Sequence, residues 1–345
     1  MTPAIFGIAG PQLSADETAL FREADPVGYI LFQRNCVDRD QVRRLTDTLR
    51  SLHGRDTLFI GIDQEGGRVA RMKPPHWAAY PSGEMFARLF DLAPASAIEA
   101  IRANAQAIGL ALAEAGVTVN FHAPLDLRQA DADSVIGDRA LGSDARQVAA
   151  LGRAMIAGFA RAGVAGCLKH MPGHGRAAVD SHKALPVVTA SADTLEQDIA
   201  PFRALAATPI GMTAHIVYTA WDADRCATLS RPVIEEVIRG AIGFDGLLLT
   251  DDIDMEALDG PIAARGAAAL AAGCDVVLNC WARLSDMHAL ADTLPRLTAA
   301  AEQRLARALA ADGAQDLSPQ EGAALHDELV EKRDALFAAA GLPLG

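Results

Sequence analysis

Short apolar runs alternate along this chain with longer Ala-rich stretches whose apolar positions recur every three or four residues. The runs predict strands at Ile5–Ala9, Gly28–Phe32, Leu58–Asp63, Val117–Phe121, Gly166–His170, Ile210–His215, Leu247–Asp251 and Asp275–Asn279. The intervening stretches predict helices, among them Asp40–Leu52, Ala97–Ala115, Asp144–Ala162, Ala192–Ala206 and Pro232–Ala241. Strands that alternate with helices build βαβ units and a parallel sheet. Near-continuous apolar strands are those covered on both faces.

Eight such strands predict an α/β fold of the (β/α)8 TIM-barrel type. Asp63, His122, His170, His215, Asp251 and Asn279 lie at or just beyond strand C-termini, where a barrel carries its active site. An open doubly wound sheet competes on pattern alone but explains so many polar strand ends less readily. Past residue 282 the pattern is helical only, with Leu284–Leu294, Thr298–Ala311 and Pro319–Ala340 expected to pack on the barrel. One domain over 1–345 is the expectation, with 1–282 as barrel and 283–345 as terminal helices. No linker, repeat or low-complexity tract beyond Ala enrichment interrupts it.

Half of the 345 residues are hydrophobic but only 5 % are aromatic, so Ala, Leu, Val and Ile must fill the core. The formal net charge is −13 and no Lys/Arg run tracks a phosphate backbone, which argues against nucleic acid as a partner. The N-terminal MTPAIFGIAGPQLS reads as a strand and turn, with neither a basic n-region nor a long apolar core, so neither a signal peptide nor a membrane span is expected. The five cysteines (Cys36, Cys167, Cys226, Cys274 and Cys280) are scattered, which suits a reducing compartment and a cytoplasmic protein. Cys167 and Cys274 fall in apolar strands and are expected in the core.

Three segments carry candidate chemistry. Cys167–Lys183, CLKHMPGHGRAAVDSHK, leaves a strand for a loop with three histidines, a Lys and an Asp. Asp180 and His182 are one residue apart, so extended backbone turns both to one side, and a carboxylate beside an imidazole suits general acid/base work. The same histidines invite a metal reading, but their spacing matches no ordinary zinc pattern, and no metal or other cofactor is expected. In Gly243–Met255, GFDGLLLTDDIDM, alternation sends Asp251 and Asp252 to opposite sides, so at most one faces the barrel axis as a nucleophile. Helix caps or a magnesium site are the competing uses of these carboxylates. In Phe59–Met72, FIGIDQEGGRVARM, Asp63 and Arg71 suit sugar hydroxyls or a structural ion pair, and Gly66–Gly67 suits a turn without phosphate-loop spacing.

IDQEGGRVARM, KHMPGHG followed by DSH, and LLLTDDIDM, in this order, resemble glycoside hydrolase family 3, specifically its single-domain bacterial β-N-acetylglucosaminidases of cell-wall recycling. LFQRN, IGDRALGSD, AHIVY and ATLSRPVIEEVIR add weaker support, so the likeness spans about residues 28 to 260. The resemblance implies Asp251 as a nucleophile forming a glycosyl-enzyme and His182, paired with Asp180, as acid/base. It implies Asp63, Arg71, Arg139, Lys169 and His170 as contacts to N-acetylglucosamine. Asp138 and Cys226 depart from the family pattern without touching these roles.

The implied substrate is N-acetylglucosamine linked to anhydro-N-acetylmuramic acid, with or without peptide, cleaved by a monomeric enzyme with small carbohydrates as partners. A neutral histidine base repels anions less than a carboxylate does, so a phosphorylase using inorganic phosphate is the alternative. A non-catalytic sugar-binding barrel is another, which the presence of both Asp251 and His182 disfavours.

Overall fold

The computed structural model describes residues 1–129, 136–179, 181, 184–310 and 314–344. Asp180 and His182 therefore lie outside the described residues. Eight parallel strands close a barrel: β1 (Thr2–Gly7), β2 (Pro26–Leu31), β3 (Phe59–Ile62), β4 (Val119–Asn120), β5 (Ala165–Met171), β7 (Ile210–Thr213), β9 (Leu247–Asp252) and β10 (Val276–Asn279). Closure falls between β10 and β1, with Ala4 opposite Val277 and Phe6 opposite Asn279. The open doubly wound sheet is thereby excluded.

The expected strands are all present, with ends that side chains redraw. β4 is short because polar side chains take over its ladder: Thr118 Oγ1 accepts from the Ile60 N–H, and the Asn120 amide bridges both the N–H and C=O of Gln64. β1 stops at Gly7 because the Ile8 carbonyl accepts from Arg34 and Asn35 side chains instead of a neighbouring strand. Two strands were not foreseen, β6 (Val187–Val188) and β8 (Val217–Tyr218), which pair in parallel outside the barrel. The stretch foreseen as an α-helix at Pro232–Ala241 winds as a π-helix over Val233–Ala241.

The helices form the outer ring: α1 (Ala15–Ala24), α2 (Arg39–His53), α3 (Gly83–Leu92), α4 (Pro94–Glu114), α5 (Ala145–Arg161), α6 (Ala192–Ala204), α7 (Ile262–Ala272) and α8 (Leu284–Thr293). Local sequence sets where they begin. Ser14 and Glu17 make a reciprocal capping box, and Asp38, Asp144 and Ser191 each accept from a backbone N–H of the first turn.

Pleating divides the core in two. Ile5, Phe59, Phe121, Cys167, Leu247 and Leu249 fill the lumen, whereas Ile60, Ile62, Leu168 and Leu248 pack outward against helices. Helix α9 (Ala299–Leu309) closes the N-terminal end of the lumen with Ala301, Leu305 and Ala308, and Arg304 ties it to Asp275 and Asp245 at 3.0 and 2.9 Å. Helix α10 (Pro319–Ala339) lies along α4, where buried Arg333 donates to Asn104 at 2.9 Å and Phe337 meets Phe86 edge-on at 5.3 Å. Cys167 and Cys274 are buried, and all five cysteines are free.

Phe337 is fully buried in this seam, so Phe337→Ala should destabilise the protein by about 3–5 kcal/mol, the range for deleting a packed aromatic ring. Denaturant unfolding measures it, and a loss below about 1 kcal/mol would show that α10 docks without contributing to stability.

Candidate active site

The C-terminal mouth is built on lumen-facing positions. Asp63 follows Phe59 and Gly61 at the end of β3, and Lys169 follows Cys167 on β5, so alternation carries both toward the axis. There they meet: Lys169 Nζ lies 3.1 Å from Asp63 and 2.7 Å from Glu65, and its side chain is only 3 % exposed. Arg71 holds the other oxygen of Asp63 at 3.2 Å. Arg139 grips Glu65 through two nitrogens, at 2.9 and 2.8 Å.

Burial alone raises both carboxyls, but the cations around them outweigh it. Lys169 and Arg71 hold Asp63 below its ordinary range, and Arg139 with Lys169 holds Glu65 well below. Burial likewise works against the Lys169 ammonium, and Glu65 and Asp63 more than restore it, so it stays charged. The turn that returns Arg71 to Asp63 needs Gly66 and Gly67, at φ +99° and +55°; a Cβ on Gly66 would stand 2.3 Å from the Pro81 carbonyl.

On the facing wall, Asp251 continues the lumen face of Leu247 and Leu249. Its Oδ1 accepts from the backbone N–H of Asp252 at 2.8 Å. Asp252 points the other way and is structural: it accepts from the N–H groups of Asp254 and Cys280 at 3.0 and 3.3 Å. Asp254 accepts from Asn279, Cys280 and Trp281, stapling the end of β10 to β9. Burial, reinforced by Asp254 alongside, pushes the Asp252 carboxyl well above its ordinary value. Of the three carboxylates in this run, only Asp251 faces the mouth. His215 braces the end of β9, with Nε2 at 2.9 Å from the Asp252 carbonyl and Nδ1 at 2.7 Å from Thr228 Oγ1.

The loop after β5 is clamped by Asp126, which is fully buried. Its carboxylate accepts from His170 Nδ1 at 2.8 Å and from the backbone N–H groups of His170 and His174 at 3.1 and 2.6 Å. Burial opposes its charge, and His170 with the other donors brings its pKa down to about 2. His174 shares a hydrogen bond with Ser181 at 3.0 Å, the residue between Asp180 and His182. Gly175 passes so close to Leu127 that a Cβ would stand 1.9 Å from its carbonyl oxygen.

Asp63, Arg71, Arg139 and Lys169 are thus brought into one charged network, and His170 is oriented by Asp126. Sequence reasoning missed Glu65 and Asp126. Glu65 carried a signal, since it lies two residues after Asp63. Asp126 carried little, because its partners are more than forty positions away. Among the described residues no group of three or more His, Cys, Asp and Glu is arranged to hold a metal ion. A cavity at the opposite end of the barrel, lined by Thr118, Pro209, Asp245 and Arg307, contains none of these groups.

A closed parallel barrel with ionised carboxylates, cations and histidines at its C-terminal mouth is the architecture of a barrel glycosidase. The family model of the glycosyl hydrolase family 3 N-terminal domain matches residues 10–310. The β-hexosaminidase of Bordetella avium (strain 197N) is 38 % identical over 283 residues, covering 81 % of this chain and 80 % of that protein. That of Alkalilimnicola ehrlichii is 40 % identical over 287 residues, with 81 % and 80 % covered. The crystal structure of NagZ from Neisseria gonorrhoeae in complex with N-trifluoroacetyl-D-glucosamine superposes with a TM-score of 0.86 at 29 % identity, over 99 % of this chain and 97 % of that one. The chain belongs to glycosyl hydrolase family 3 and is a glycoside hydrolase.

Burial holds His122 and His174 down to a pKa of about 4, against 6.5 when solvated. The unfolded chain therefore binds protons that the fold refuses, so stability should fall as pH drops from about 6.5 toward about 4. Asp63, Glu65 and Asp126, with depressed pKa values, lose their contribution only at lower pH. Melting temperatures measured between about pH 7 and about pH 4.5 should drop less steeply for His174→Gln than for the parent protein. Parallel curves would mean that His174 takes up its proton in the fold as readily as in the unfolded chain.

Proposed function

We propose that this β-N-acetylhexosaminidase is a retaining exo-enzyme that removes non-reducing terminal N-acetylglucosamine from peptidoglycan fragments, through a covalent glycosyl-enzyme on Asp251. The observation that carries the reading is the direction of the carboxylates: Asp252 and Asp254 accept from backbone N–H groups at the ends of β9 and β10, and Asp251, which accepts from the Asp252 N–H, alone of the three continues the lumen face of Leu247 and Leu249. In the first step the Asp251 carboxylate attacks the anomeric carbon while His182 protonates the departing glycosidic oxygen. In the second, His182 takes a proton from water as that water attacks the same carbon, and the sugar leaves with its β configuration retained. Asp180 orients the His182 imidazole and stabilises its charged form.

Asp63, Arg71, Arg139, Lys169 and His170 hold the terminal sugar. Buried and preorganised, Lys169 and Asp63 supply a donor and an acceptor to hydroxyls, at little cost in reorganisation. The N-trifluoroacetylglucosamine in the Neisseria gonorrhoeae structure supports N-acetylglucosamine as that sugar. The enzyme acts as a monomer in the cytoplasm, and among the described residues no helix is long and apolar enough to cross a membrane. Metal removal leaves turnover intact, because the nucleophile is a carboxylate and not a bound water.

Asp251→Ala should abolish turnover with the fold preserved, and a 5-fluoro N-acetylglucosaminyl fluoride should trap a labelled peptide containing Asp251. A label on Asp252 or Asp254 would overturn the assignment.

His182→Ala should slow substrates with poor leaving groups by about 10²–10⁴-fold and activated aryl glycosides far less, because the latter need little proton assistance. Asp180→Ala should follow the same dependence, and the double variant should be little worse than either. Equal losses on both substrate types would remove His182 from the chemistry.

A further inference from the structure

Three consecutive residues on the rim, Trp281, Ala282 and Arg283, take no part in the chemistry above. Trp281 is 45 % exposed and is the one aromatic among the exposed large hydrophobic residues described. A single exposed apolar residue is ordinary, so exposure alone says little. Here the backbone that carries the ring is fixed: the Trp281 N–H donates to Asp254 at 3.0 Å, and the next residue, Ala282, sits at φ +58°. The left-handed region is uncommon for a residue with a Cβ and marks a segment whose course is imposed by its surroundings.

Arg283 lies over the indole, its guanidinium carbon 4.4 Å from the ring centroid. That side chain is 59 % exposed, and Asp286, 4.0 Å away, is its ion-pair partner. The residue before Trp281, Cys280, belongs to the lumen, and its thiol is within electrostatic reach of Asp63 and Asp251. Trp281 therefore leaves the C-terminal end of β10, the end of the barrel that holds the proposed nucleophile.

A rigid, exposed aromatic ring suits the C–H face of a saccharide, and a stacked, solvent-reaching guanidinium suits a carboxylate through paired N–H donors. We propose that Trp281 and Arg283 form the subsite on the leaving-group side, where the indole stacks on the second sugar and Arg283 pairs with a carboxylate that this sugar carries. The proposal rests on the reading of the enzyme as an N-acetylglucosaminidase, and it names the residues that select an acidic aglycone. In a chain of net charge −13, a guanidinium at this position also weakens the repulsion that an anionic substrate meets.

The test compares three substrates: β-N-acetylglucosaminyl fluoride, which has no ring on the leaving side, the neutral β-1,4 disaccharide of N-acetylglucosamine, and that disaccharide with an O-lactyl carboxylate on its second sugar. Trp281→Ala should lower kcat/KM for both disaccharides about tenfold relative to the fluoride, and Trp281→Phe should recover most of the loss. Arg283→Gln should lower kcat/KM about tenfold for the carboxylated disaccharide alone, mainly through KM, and added salt should weaken that preference in the parent enzyme. Unchanged ratios in Trp281→Ala, or equal losses on both disaccharides in Arg283→Gln, would overturn the subsite. A parent enzyme that turns over none of the three would instead overturn the N-acetylglucosaminidase reading beneath it.

Discussion

The ammonium of Lys169, buried between Asp63 and Glu65, is the constraint around which the mouth is organised. An isolated charge in this position would be too costly to keep, so each member of the group is viable only because the others are present. Among the described residues the connected set holds two carboxylates, Asp63 and Glu65, and three cations, Lys169, Arg71 and Arg139. It joins β3, β5, the turn after Gly67 and the short helix at Gly137–Arg139. Removing one partner would leave a buried charge uncompensated, typically about 3–5 kcal/mol. The same group that fixes the walls stands across the mouth from the strand that carries Asp251.

The different surroundings of the carboxylates in the mouth give them separate tasks. Asp63 and Glu65 are kept ionised by cations and cannot readily serve as acids. Asp126 is kept ionised by histidine and backbone donors and serves as a clamp. Asp252 and Asp254 share backbone N–H groups at the end of β10, where burial makes two full charges unfavourable. The His174–Ser181 hydrogen bond is where the clamped part of the loop after β5 meets the segment carrying Asp180 and His182.

The far end of the barrel shows the complementary arrangement. Apolar side chains of α9 fill the lumen there, and Arg304 binds the acidic residues that begin the last strands. One end is thus closed by packing and the other lined by charge, so water and substrate reach the lumen residues from the C-terminal side. α10 adds a second layer over α4, with Arg333 and Asn104 satisfying each other inside an otherwise apolar seam.

The sequence by itself determined the number of barrel strands, their parallel order and the end at which chemistry gathers, because a period of two against a period near 3.6 is written residue by residue. Asp63, Arg71 and Asp251 were legible as candidates from their own segments, and Arg139, Lys169 and His170 only through the resemblance to a family. The tertiary structure decided which of Asp251 and Asp252 faces inward, since that follows from which strand face meets the lumen, and pattern alone fits either. It also decided that Glu65 joins the network and that Asp126 clamps the loop, through contacts spanning 104 and 44 positions of chain. The β6–β8 pairing and the π-helical winding of Val233–Ala241 were equally illegible. The pairing depends on a neighbour distant in sequence, about which local periodicity carries no information.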